Sequence, residues 1–174
     1  MEKTRKITSI LTLAMAFCFG LASLTQAEET AKSLKWVEHK PNPRFAIYDP
    51  GTPIEKADDL VLDTKTGLIW ARNANPAGKM LKWGDAITYC QNLTLGNLKG
   101  WRLPTKEELS SLVDPSQTVP ALPSGHPFIN VNVTYWSSTE IGTESAWIVH
   151  IGSSGLVEEG IKLMGEFVLP VVGR

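Results

Sequence analysis

The stretch Gly100-Trp101-Arg102-Leu103-Pro104-Thr105 leaves the chain very little conformational choice. Pro104 excludes helical geometry at Leu103, so the chain arrives extended. Thr105 then offers a hydroxyl oxygen to the amide three residues on, where Glu108 can reach back to the Thr105 amide; Thr-x-x-Glu is a capping box. The segment reads as a strand turning sharply into a helix with a defined start. Leu109, Leu112 and Val113 provide the buried face of that helix, and Asp114-Pro115 ends it. Arg102 follows Trp101 on extended backbone and points the other way. An ion pair with Glu108 or a neighbouring acid is its expected use.

Other segments fall into place around this corner. Trp83, Ile87, Cys90 and Leu93 form one apolar stripe, which predicts a helix over 83–93 with Cys90 facing inward. Leu60-Val61-Leu62 and Leu68-Ile69-Trp70 flank a loop ending in Gly67 and predict a hairpin. Phe45 to Tyr48 is a further short strand. After 116–133, a proline-rich stretch without periodicity, strands are expected at Thr134–Ser138, Ser145–Ile151, Leu156–Val157 and Phe167–Val172. Ser145–Ile151 is apolar at odd and even positions alike, which marks a central strand. Six tryptophans are present. Trp70, Trp101, Trp136 and Trp147 sit in apolar strand patterns or beside the cap and are expected in the core, whereas Trp36 suits core or ligand equally.

The first 27 residues have the zones of a secretory signal: Lys3, Arg5 and Lys6, an apolar run from Ile7 to Leu24, and Thr25-Gln26-Ala27 for a cut after Ala27. Residues 28–43 are polar and read as a tether, leaving 44–174 as one domain. The chain carries 17 basic and 18 acidic residues; without Lys3, Arg5, Lys6 and Glu2 these become 14 and 17. That balance gives no general attraction to nucleic acid, and no membrane span is expected after cleavage. Lys79, Lys82, Lys99, Arg102 and Lys106 form the densest basic cluster, expected as scattered, solvated side chains. Cys90 is the lone cysteine after cleavage, and His39, His126 and His150 have no metal-ligand spacing, so neither metal nor cofactor is expected.

Gly67-Leu68-Ile69-Trp70, Trp83 to Cys90, Gly100 to Leu109, Pro123-Ser124-Gly125-His126-Pro127-Phe128, Tyr135-Trp136-Ser137-Ser138-Thr139 and Ala146-Trp147 occur in an order that resembles the Lcl C-terminal-domain family. The likeness runs from about Phe45 to the C-terminus. It implies an α+β, C-type-lectin-like single domain with two helices and a mostly antiparallel, twisted sheet, akin also to formylglycine-generating enzymes. It further implies a cell-envelope or secreted location and, from the founding adhesin, binding of sulfated polysaccharide. This chain departs from the family in two respects. Phe167 to Arg174 lacks the arginine-containing segment that many members carry before a Gly-Gly, and there is no collagen-like stalk.

No catalytic residues carry over from the family. A formylglycine-type mechanism uses a cysteine pair, and no Gly-x-Ser-x-Gly elbow, His-Glu-x-x-His helix or clustered calcium ligands occur. The expectation is therefore a non-catalytic, periplasmic or secreted binding module that recognises a polysaccharide or an envelope partner through the 114–133 loop. The alternatives are a structural envelope protein without a small ligand and, against the lack of a cysteine pair, a formylglycine-generating-like enzyme. His126, Lys99 and Lys106 are the candidate ligand-binding residues. Trp70, Trp101, Arg102, Leu103, Pro104, Thr105, Glu108, Trp136, Ser137, Ser138 and Trp147 are assigned to the scaffold.

Overall fold

The computed structural model describes residues 34–48 and 60–173. The expected export signal and its cut after Ala27 lie outside the described residues. In chain order the elements are β1 (Trp36–Glu38), β2 (Phe45–Tyr48), β3 (Leu60–Asp63), β4 (Leu68–Ala71), α1 (Trp83–Asn92), α2 (Lys106–Leu112), β5 (Tyr135–Ile141), β6 (Ser145–Val149), β7 (Val157–Ile161) and β8 (Val171–Val172). Two sheets form where one was expected. β1-β2-β3-β4-β8 make a five-stranded sheet and β5-β6-β7 a three-stranded one, every neighbouring pair antiparallel. The fold is α+β, and its two described helices start within a residue of where the sequence puts them.

Three apolar clusters hold the layers together. The largest lies between the sheets, where Val61, Trp70 and Phe45 meet Leu109 and Leu112 of α2 and Tyr135 and Val149 of the smaller sheet. On the far side of the large sheet, Leu60, Leu62, Ile69 and Trp36 are covered by Leu98 and Trp101. The third places Ala86 and Cys90 of α1 on Trp136, Ala146 and Ile148. Gly96 permits the second cover to sit close: its φ is +58°, and a Cβ there would collide with the Leu60 side chain.

The corner between Trp101 and α2 is built as its sequence demands. Glu108 donates its amide to the Thr105 hydroxyl and accepts from the Thr105 amide at 2.8 Å, so both halves of the capping box are made. Arg102 grips both oxygens of Glu108 at 2.7 Å each. Its backbone also exchanges two hydrogen bonds with Val171 of β8, each 3.0 Å.

Four expectations need correction. Residues 28–43 are not a tether throughout: Trp36–Glu38 pairs with β2, and Trp36 is only 8% exposed. Alternation over three residues is too short a signal to announce an edge strand. Phe167–Val172 forms a regular strand only at Val171–Val172; its earlier part makes one isolated bridge, Tyr135 with Phe167. β5 runs on to Ile141, past the expected end at Ser138, across a register shift between Trp136 and Glu140. Trp147 is half-buried rather than in the core, its ring meeting the ammonium of Lys106 rather than an apolar side chain of the three clusters. Elsewhere β6 is the central strand of its sheet, as its two apolar faces require.

Replacing Glu108 by Ala removes the cap acceptor and the carboxylate that neutralises Arg102 together. The expected loss is about 2–3 kcal/mol of unfolding free energy in a urea titration. Arg102→Lys, which keeps the charge but loses the forked contact, is expected to cost about 1 kcal/mol.

Candidate functional site

The connection from Val113 to Thr134 contains no helix or strand, because Pro120, Pro123 and Pro127 remove backbone donors wherever a ladder would need them. Its polar groups are satisfied one at a time. The Ala121 amide donates to Ile151 O at 2.8 Å, and the Asp114 amide to Ala121 O at 3.0 Å. Ile129 lies beside the large sheet, donating to Arg72 O and accepting from the Ala74 amide. Arg72 Nε donates to Pro127 O at 3.2 Å. At the far end the Asn132 amide donates to the Tyr135 hydroxyl at 2.6 Å, and burial pushes that phenol up to about 12. At the near end Asp114 accepts from the Ser116 hydroxyl and amide, which together hold its carboxyl below the usual range. Leu122 and Phe128 anchor the loop in the main core, while Val119, Ile129, Asn130 and Val133 stand exposed.

A second segment docks on this loop, a contact with no signal in the sequence. The turn between β1 and β2 sends His39 Nε2 to Gly125 O at 2.8 Å and Asn42 Nδ2 to Ser124 O at 3.0 Å. Gly125 makes the approach possible; it has φ +72°, and a Cβ would lie 2.8 Å from Pro41 O. His126 sits beneath this contact, half-buried and 6.1 Å from the Phe128 ring. Its Nδ1 is enclosed without a hydrogen-bond partner. Burial, and secondarily the neighbouring His39, lower its affinity for a proton. An amide cluster lies further along, where Asn130 Nδ2 donates to Asn73 Oδ1, which also accepts from the Asn75 amide. Isolated asparagines so far apart in sequence carry no pattern that could have revealed it.

The other candidate residues lie elsewhere. Lys106 Nζ stands 4.5 Å from the centre of the Trp147 ring, a cation–π contact, while its backbone amide donates to Thr139 Oγ1. Lys99 is exposed on the loop before Trp101. Among the described residues no hydrogen bond or ion pair joins Lys99, Lys106 and His126. The basic cluster is likewise divided: Lys79, Lys82 and Lys99 are exposed, but Arg102 is held by Glu108 and by Gly173 O. Ser137 and Ser138 serve the scaffold. Ser137 O accepts from the Trp83 indole at 2.8 Å, and Ser138 donates its amide to Pro104 O at 2.7 Å. Cys90 is fully buried, and its thiol is pushed up to about 12 by burial, so it carries no thiolate at neutral pH. Among the described residues no group of three His, Cys, Asp or Glu side chains could hold a metal ion, and no helix is long and apolar enough to cross a membrane.

With the corner, the tryptophans and the loop in place, the comparison with known families is decisive. The Lcl C-terminal domain model matches residues 59–172. The chain belongs to the Lcl C-terminal domain family. No curated protein matches it. In this Lcl C-terminal domain the matched region begins one residue before β3 and ends with β8, so β1, β2 and the His39 contact lie outside it.

Two outcomes follow. The folded state holds His126 with a lowered proton affinity, so as pH falls the unfolded chain takes up its proton first. The resulting stability is intact above about pH 6.5 and is lost as pH drops through the lower folded value. Urea titrations between about pH 8 and about pH 5.5 should show this decline, and His126→Asn should make it shallower. Iodoacetamide at neutral pH should leave Cys90 unmodified in the folded chain and alkylate it in urea, as read by peptide mass spectrometry.

Proposed function

We propose that this chain is an exported, non-catalytic binding module with a C-type-lectin-like fold, which recognises a polysaccharide or an envelope partner through the loop at 114–133. One observation carries the reading. A long connection without regular structure is nevertheless held at both ends and in the middle by individual backbone hydrogen bonds, leaving Ile129, Asn130 and Val133 exposed. Such a loop is already ordered, so a ligand does not have to bear the entropic cost of ordering it. Long loops of this kind in compact domains are commonly functional.

The family membership supports a scaffold that presents loops, and the burial of Cys90 argues against thiol chemistry. Export is proposed from the charged and apolar zones of residues 1–27. If the ligand is a sulfated polysaccharide, Lys99 and Lys106 are the cationic candidates, reached by a chain that extends beyond the loop itself. Lys106 would then bring with it the half-buried Trp147 ring, an apolar surface suited to a sugar.

A glycan array that includes sulfated polysaccharides, read at several salt concentrations, tests this. Binding is expected at low salt and should weaken as salt rises. Lys99→Glu with Lys106→Glu should reduce it by about tenfold or more. Absence of binding at low salt would overturn the polysaccharide reading.

A further inference from the structure

We propose that β7 is a docking edge for an extended, basic segment of a partner protein, which adds to the three-stranded sheet as a fourth strand. β7 pairs with β6 alone. The opposite edge of the sheet, along β5, is already engaged: the Trp136 amide donates to Phe167 O, and the Phe167 amide to Thr134 O. The hydrogen-bonded register of β6 and β7 is set by Lys162 N to Glu144 O and His150 N to Leu156 O, both 2.9 Å. In an antiparallel ladder these bonded pairs recur at every second residue. Leu156, Glu158, Gly160 and Lys162 therefore turn their backbone groups to β6, and Val157, Glu159 and Ile161 turn theirs outward. Of those outward groups Ile161 O accepts from the Met164 amide; the others have no partner among the described residues. All three residues are exposed, Val157 at 39% and Ile161 at 52%.

An open row of donors and acceptors of this kind is a template for another strand. The side chains specify which one. Glu159 lies opposite Trp147 in the register, on the same face as Val157 and Ile161. An incoming strand thus meets an apolar position, a carboxylate and an apolar position at alternate residues. Among the described residues Glu159 has no ion pair, and neither has Glu144 in the adjoining hairpin, whereas Glu158 is paired with His150 and Glu140 with Lys162. A second copy of this edge is a poor occupant. Antiparallel pairing centred on Glu159 would set that carboxylate against its own copy, and like charges directly opposite are destabilising. The fitting partner presents apolar, any, Lys or Arg, any, apolar.

Fluorescence anisotropy with two short fluorescein-labelled peptides tests this on the purified chain. Both carry valine and isoleucine two positions either side of a central residue, which is lysine in one peptide and glutamate in the other. The lysine peptide is expected to bind about tenfold more tightly. Glu159→Lys should reverse the order. Glu159→Pro removes one outward amide without touching the ladder to β6 and should weaken the lysine peptide about tenfold, with the far-ultraviolet circular dichroism unchanged. If the proline variant does not fold, the charge reversal decides alone. The proposal is overturned if neither peptide binds or both bind alike. It also fails if Glu159→Pro keeps full affinity, or if sedimentation shows a dimer of the chain that Glu159→Lys or Glu159→Pro dissolves.

Discussion

The forked contact between Arg102 and Glu108 is the constraint on which the rest of the molecule turns. Glu108 caps the helix it belongs to and neutralises the cation that precedes it, so one carboxylate fixes both the direction and the start of α2. Trp101, Leu103 and Leu109 are thereby sent into three different apolar clusters from one short stretch of chain. Burying a large apolar side chain is worth about 2–3 kcal/mol. The corner therefore collects a contribution from every layer. The pairing of Arg102 with Val171 brings in β8 as well, and with it the edge of the large sheet.

Much of this was legible because its determinants are local. Pro104, Thr105 and Glu108 act within a few residues of one another, and so do the periodic positions Ile87 and Cys90. The paired runs around Gly67 and the two-sided apolarity of Ser145–Ile151 are equally self-contained. Legibility ended where tertiary contacts decide. Nothing near Trp36 predicts that β2 will accept it, since three residues gain their stability from the neighbouring strand rather than from their own pattern. The half-exposure of Trp147, whose ring meets the Lys106 ammonium at the start of α2, is not encoded in its alternation along β6. The division of one apparent sheet into two is equally a matter of which strands pair, and the pairing of β8 with β4 rather than with β5 is not written in either strand alone.

The candidate site shows the same split. The sequence picks out the 114–133 loop by its prolines and its lack of period, and it supplies His126, Lys99 and Lys106 as residues of suitable chemistry. It does not say that they are dispersed: His126 lies under the β1–β2 turn, Lys106 over an indole, and Lys99 on a separate loop. Asn73 and Asn130 meet although 57 positions separate them. Such meetings result from the whole fold and leave no trace in any one window of sequence.

The tryptophans, finally, give the molecule an unusual internal optics. Trp70, Trp101 and Trp136 are sealed from water, and Trp36 nearly so, yet only Trp101 and Trp136 find a carbonyl for the indole N–H. Trp83 and Trp147 lie nearer the surface, each with a lysine ammonium over its ring at 4.4 and 4.5 Å. Light absorbed by this chain is thus shared between dry indoles and cation-capped ones, whose emission responds to different events. The dry set reports on the integrity of the layers, and the capped set on whatever displaces a lysine.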